Sequence, residues 1–196
     1  MSQREIRADY DERTVVVYQA YRPDIATAAV RAGRFVPPFS LERMTWIKPS
    51  FLWMMERCGW ASKPGQERVL AIRISRAGWE EALAQATLTT FEPGIYPDFD
   101  AWQASLLAAP VRVQWDPERD LRGKPQERRA IQVGISRDLA PRYVNDWTLE
   151  IRDITPLVRS LRALLDAGRA TEAQARLPRE RLYPTPAAIA RHLGMA

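Results

Sequence analysis

The order of the predicted strands and helices along the chain does most to restrict the possible fold class. Residues 14–21 are β-branched and aromatic, which predicts a largely buried strand. The apolar pattern predicts further strands at residues 69–75, 111–115, 130–136 and 147–154. Helical patterns lie between them without alternating strictly. This order indicates an α+β fold with a mixed or mostly antiparallel sheet of about five strands and flanking helices.

Proline and glycine divide the chain but leave no linker long enough to separate two domains. Pro49 suits the first turn of a helix that ends near Gly59. From residue 156 onward the apolar spacing is helical. We therefore predict a single domain over residues 1–196, with an N-terminal arm at residues 1–13 and a helical C-terminal tail at residues 156–196.

The charge favours polyanions or nucleotides as partners. The chain has a net charge of +5 and 29 basic residues, of which only Lys48, Lys63 and Lys124 are lysines. Arginine suits bidentate phosphate contacts and stacking on bases. The codon bias of a GC-rich genome, which enriches Arg, Ala and Pro together, is the alternative explanation. Charged side chains are also concentrated in the segment 116–127, and this composition predicts a loop there.

Most familiar catalytic patterns are absent from the sequence. His192 is the only histidine and Cys58 the only cysteine, too few for a zinc pattern, and there is no Gly-rich phosphate loop. Lys63 lies in a turn near Gly65, either as a nucleotidyl-transfer lysine or as a solvated turn residue. No secretory signal and no membrane span are predicted, and one thiol fits a reducing cytoplasm.

Residues 43–55 combine two Trp, a Phe and three Met with basic side chains. Apolar residues this dense usually form core, and Trp53 is expected to do so. Packing does not explain the interleaved Arg43 and Lys48, and Trp46 precedes the predicted helix beside a lysine. This mixture is typical of a surface that stacks flat rings and holds phosphates.

Polar side chains also occur in the middle of predicted strands. Tyr18 and Gln19 follow valines, Arg73 lies between two isoleucines, and Gln132 lies between Ile and Val. Burying such groups costs free energy unless they are hydrogen-bonded. Either they are the polar positions of half-exposed strands, or they converge on one cleft with the residues of the 43–55 segment. The N-terminal arm is either a frayed tail or a flap that supplies Arg7 to this cleft.

The whole chain resembles domain-of-unknown-function family 4291. The segments that carry the resemblance are residues 4–10, 17–21, 43–54, 63–66 and 113–119. The long central segment is the most specific of them. The resemblance implies no particular chemistry.

A looser similarity is to ADP-ribosyltransferase-type folds, including the RNA 2′-phosphotransferases. In those folds the first strand is followed by a short helix and a glycine, here Gly33, and a later strand carries an acidic or amide residue, for which Gln132 would stand. Tyr18 and Gln19 occupy the first-strand position that such proteins often fill with His or Arg. The resemblance implies transferase chemistry on a nucleotide.

Three functions remain open. The first is a nucleotide- or NAD-using enzyme, ADP-ribosyltransferase-like, acting on RNA or another nucleic acid, with NAD or a nucleoside triphosphate as cofactor. The second is a non-catalytic nucleic-acid-binding domain, and the third is a protein-interaction domain without a ligand. For the enzyme, the candidate catalytic residues are Gln132, Gln19 and Lys48, and the candidate cofactor-binding residues are Arg7, Tyr18, Arg43, Trp46 and Arg73.

Overall fold

The computed structural model describes residues 4–136 and 138–195. Within them, the strands are β1 (Arg7–Ala8), β2 (Thr14–Tyr21), β3 (Thr45–Ile47), β4 (Arg68–Ser75), β5 (Ala86–Leu88), β6 (Val111–Arg119), β7 (Pro125–Ile135), β8 (Thr148–Asp153) and β9 (Arg181–Leu182). The helices are α1 (Pro23–Ala32), α2 (Phe51–Cys58), α3 (Arg76–Ala84), α4 (Phe99–Ala108), α5 (Ala140–Arg142), α6 (Thr155–Asp166), α7 (Ala170–Ala175) and α8 (Ala187–His192), with a π-helical turn at Tyr143–Trp147.

These strands form three sheets. Their orders are β2-β4-β8, β3-β7-β6-β5 and β1-β9. All neighbouring strands are antiparallel except β5 and β6, which are parallel. The α+β class, the mostly antiparallel pairing and the helical C-terminal end are therefore confirmed. The structure has more strands than the sequence pattern predicts, because β1, β3, β5 and β9 are two or three residues long and too short to show a period of two.

Strand β2 is buried on both faces, which explains its continuous apolar run. On one face Val15 and Val17 join a core with Ile72 and Trp79. On the other face Val16 joins a second core that includes α2 and α6. Successive residues of β2 therefore point into different parts of the molecule, which decides where the polar residues of this strand lie.

Two segments differ from the sequence-based expectation. The predicted loop at residues 116–127 is mostly strand, since β6 extends to Arg119 and β7 begins at Pro125. Charged side chains do not prevent this, because the hairpin is half-exposed and its backbone groups pair with each other.

The described part of the N-terminal arm packs against the body of the protein rather than fraying. Its strand β1 pairs with β9. Ile6 and Ala8 are fully buried. The predicted helical tail thus contains a short strand as well as three helices. None of the helices in the described residues is long and apolar enough to cross a membrane.

Candidate functional site

An open cleft of about 510 Å³ lies where β2 and β3 meet. Its walls come from the end of β2, the segment 38–48, the C-terminal half of α2 and the turn at residues 65–66. Its size is within the range of small-molecule sites.

The backbone fixes Lys48 between two sheets. The Tyr18 N–H donates to the Lys48 carbonyl (2.7 Å), and the Lys48 N–H donates to the Tyr18 carbonyl (3.3 Å). Pro49 lacks an N–H and cannot continue this pairing. Ser50 then caps α2 by accepting a hydrogen bond from the Trp53 N–H (3.2 Å), so the helix begins one residue later, at Phe51. The backbone of Lys48 therefore has a well-determined position in the lining of the cleft.

The Lys48 side chain is buried without a partner. Only 4% of the residue is exposed. Among the described residues, its Nζ makes no hydrogen bond and no ion pair. The pKa of Lys48 is lowered to about 8, mainly by burial and also by the nearby Arg57, against an opposing effect of Asp116. About half of this amine is neutral at about pH 8.

The cleft is positively charged and lacks a carboxylate. Its described lining contains Arg22, Arg43, Lys48 and Arg57 but no Asp or Glu. Arg22 is paired with Asp24 outside the cleft (2.8 Å). In the described part of the chain, the guanidinium groups of Arg43 and Arg57 make no hydrogen bond and no ion pair. Three cations without partners around one cavity give it the charge that an anionic ligand would require.

An indole ring lies beside these cations. Trp46 pairs with Gly134 across β3 and β7. A Cβ added to Gly134 would lie 2.9 Å from two atoms of the Trp46 ring and 2.8 Å from Met44 Sδ. The ring therefore rests against bare backbone and remains half-exposed in the cleft. Such a ring can stack on a nucleobase or another flat group.

Gln19 is held by the protein itself. Its Nε2 donates to Tyr21 Oη (2.7 Å), Thr45 Oγ1 (2.7 Å) and the Trp46 carbonyl (3.2 Å). The Tyr143 hydroxyl donates to Gln19 Oε1 (2.7 Å). Burial raises the pKa of Tyr143, so this hydroxyl keeps its proton. Gln19 thus ties β2 to β3 and positions Trp46.

A model of the protein family described as Domain of unknown function (DUF4291) matches residues 5–183. The chain belongs to this family. The matched range contains every residue that lines the cleft, from Gln19 to Gln66. No curated protein matches the chain. The similarity to ADP-ribosyltransferase folds stays a prediction.

In this DUF4291 protein, Gln19, Arg43, Trp46 and Lys48 all line the cleft. Gln132 does not. It lies on the neighbouring strand β7, and its Nε2 donates to Asp116 Oδ2 (2.7 Å).

The other three candidates lie elsewhere, so the alternative in which all eight residues converge on one cleft is not what the described residues show. Tyr18 faces the opposite side of β2 from Gln19, packed edge-on against Phe51 at 5.5 Å between ring centroids. Arg73 shares that side and donates to Thr14 Oγ1 (2.7 Å). Arg7, in β1, donates to the Glu180 carbonyl (3.5 Å). The period of two along β2 explains the separation of Tyr18 from Gln19.

Some lining residues are not among the sequence-based candidates. Arg57 is in the last turn of α2, where the sequence suggests only a favourable interaction with the helix dipole. Tyr21 and Gln66 also line the cleft. The one available signal is the family resemblance, because Tyr21 and Gln66 belong to segments that carry it and Arg57 lies three residues after such a segment. No cluster of three or more His, Cys, Asp or Glu that could hold a metal occurs in residues 4–136 and 138–195.

Proposed function

We propose that this protein is a nucleotide-using enzyme whose ligand is a nucleoside triphosphate or NAD. Arg43, Arg57 and Lys48 hold the phosphates, and Trp46 stacks on the base. The observation that carries the proposal is the set of three unpartnered cations in a cleft whose described lining has no carboxylate. Phosphate groups supply the missing negative charge, and arginine suits them because it binds two oxygens at once.

Catalysis, rather than binding alone, is favoured by the burial of Lys48. A surface that only binds nucleic acid uses exposed cations. An exposed cation stays hydrated, so folding has no desolvation cost for it. Keeping a lysine residue at 4% exposure, with an amine that makes no hydrogen bond or ion pair, costs free energy, and such groups concentrate at active sites.

A nucleic acid is a suitable acceptor for the group that such an enzyme would transfer from the nucleotide. Arg22, Arg43 and Arg57 are exposed at the rim of the cleft, and the chain carries a net charge of +5. A nucleic-acid-binding domain without catalysis is the second candidate, carried by the same rim. It predicts RNA affinity that falls steeply with salt, together with no affinity for free nucleotides.

Titration calorimetry at low salt with ATP, GTP and NAD tests the proposal. We expect at least one to bind, and Arg43→Ala and Arg57→Ala each to raise its Kd roughly 10- to 100-fold, because each charge-assisted contact contributes about 1.5–3 kcal/mol. Arg162→Ala is the matched control, since Arg162 is exposed on α6 and paired with Asp166. Absence of binding by all three nucleotides, or an equal loss in the control, contradicts the proposal.

A substitution beneath the indole ring tests the stacking role separately. In Gly134→Ala the new Cβ meets the Trp46 ring, and the ring must move off the sheet. We expect weaker nucleotide binding with little change in the melting temperature, because Trp46 is half-exposed and has room to shift. Calorimetry and thermal unfolding of the same variant measure both effects. Unchanged affinity shows that the ring does not contact the ligand.

A further inference from the structure

We propose that Lys48 Nζ is a nucleophile that takes the nucleotidyl group from the bound ligand and holds it as a lysyl phosphoramidate. This inference rests on the proposed function, because it requires a nucleotide in the cleft. The substrate class it names is a nucleotide with a phosphoanhydride at its α-phosphorus, either a nucleoside triphosphate or NAD.

The first support is the contrast among the three lysines. Lys63 Nζ donates to the carbonyls of Glu56 (3.1 Å) and Arg57 (2.9 Å), where it caps the end of α2. Lys124 is exposed in the turn between β6 and β7. Only Lys48 is both buried and free of hydrogen bonds and ion pairs within the described residues, and its side chain lines the cleft.

The second support is the difference in exposure among the cations of the cleft. Arg43 and Arg57 are exposed cations that can hold the outer phosphates. Lys48, which is buried and lines the same cleft, is then the basic residue suited to a phosphate that lies deeper. Desolvation favours the neutral amine, which is the nucleophilic form, and lowers the pKa of Lys48 to about 8. The neighbouring Arg57 favours the same form.

The reaction balances with the nucleotide as the only co-reactant. The lone pair of neutral Nζ attacks the α-phosphorus, and an N–P bond forms. The anhydride P–O bond breaks, and its electron pair leaves with pyrophosphate from a triphosphate or with nicotinamide mononucleotide from NAD. The amine loses a proton to solvent. Attack by a hydroxyl or phosphate oxygen of an acceptor then breaks the N–P bond, and Nζ takes up a proton. Magnesium enters with the nucleotide phosphates, to which it binds in water.

The test uses the full chain with magnesium and ATP, GTP or NAD, each labelled at the α-phosphate or the adenylate phosphate. We expect label that survives denaturation, is stable to alkali and is lost in acid, as for an N–P bond. Peptide mapping of the wild-type protein should place the adduct on Lys48. The ATP, GTP and NAD arms identify the donor.

Labelling should fall at least about 100-fold in Lys48→Arg. Lys63→Arg and Lys124→Arg should be labelled as the wild type is. The labelling rate should rise with pH and level off above about pH 8, where the amine is neutral. Label on another residue, or undiminished labelling of Lys48→Arg, overturns the inference. If the wild type binds a nucleotide by calorimetry but never becomes labelled, the nucleophile is wrong and the proposed binding site stands. If it neither binds nor becomes labelled, both proposals fall.

Discussion

Replacing Lys48 with methionine is expected to raise the free energy of unfolding by about 3 kcal/mol near pH 7. The pKa of Lys48 is lowered from 10.5 to about 8, mainly by burial. At neutral pH the amine is therefore protonated in the unfolded chain and largely protonated in the fold, where its charge has little contact with water and no hydrogen-bond or ion-pair partner among the described residues. Each unit of lowered pKa corresponds to about 1.4 kcal/mol of this cost. Methionine fills a similar space without a charge.

The stabilisation expected for Lys48→Met changes with pH, and the direction of the change follows from the lowered pKa of Lys48. Between about pH 8 and pH 10.5 the folded amine is neutral while the unfolded one still binds a proton, so the unfolded state binds more protons and wild-type stability gains with rising pH from this group. The advantage of Lys48→Met should therefore fall to less than half by about pH 9.5. Comparing wild type with variant at each pH cancels the tyrosines and other groups that titrate in the same range.

Chemical denaturation at the two pH values measures the effect. Lys124→Met is the matched control, because Lys124 is exposed and its removal relieves no buried charge. A stabilisation of Lys48→Met that does not change with pH would mean that packing, not charge, is responsible. A destabilisation would mean that the amine has a partner in solution.

The sequence predicted part of the site because one segment carries it. Arg43, Trp46 and Lys48 stand within six residues, and packing alone does not explain two basic side chains there. Their convergence depends on local structure, namely a three-residue strand followed by a proline and a capped helix. Local structure of this kind can be predicted from residue types.

The rest depends on long-range pairing. Arg57 faces the cleft only because α2 packs beside β2, and β1 exists only because β9 pairs with it. No pattern within the chain specifies these partners. The separation of Tyr18 from Gln19 was predictable, since neighbouring residues of a strand point to opposite faces. Arg73 lies opposite Val16 in the β2–β4 register, which places it on the Tyr18 side.

Gln19→Leu is expected to lower the free energy of unfolding by about 3 kcal/mol or more. The change leaves the Tyr143 hydroxyl without its acceptor in a fully buried position, and it leaves the Thr45 and Trp46 groups without their shared donor. Gln66→Leu is the control. Gln66 also lines the cleft, and its side-chain amide makes no hydrogen bond within the described residues, so its replacement should change stability by less than about 0.5 kcal/mol.

A double-mutant cycle with Tyr143→Phe identifies the cause. Removing both partners leaves no orphaned hydroxyl, so the double variant should be at least about 1 kcal/mol more stable than the sum of the single effects predicts. Additive effects would show that Gln19 acts elsewhere. The signs expected for Gln19 and Lys48 are opposite: the fold loses stability without the glutamine and gains it without the lysine. Of these two residues, the lysine is the one that lacks a structural reason to be in the cleft, which is why the chemistry is assigned to it.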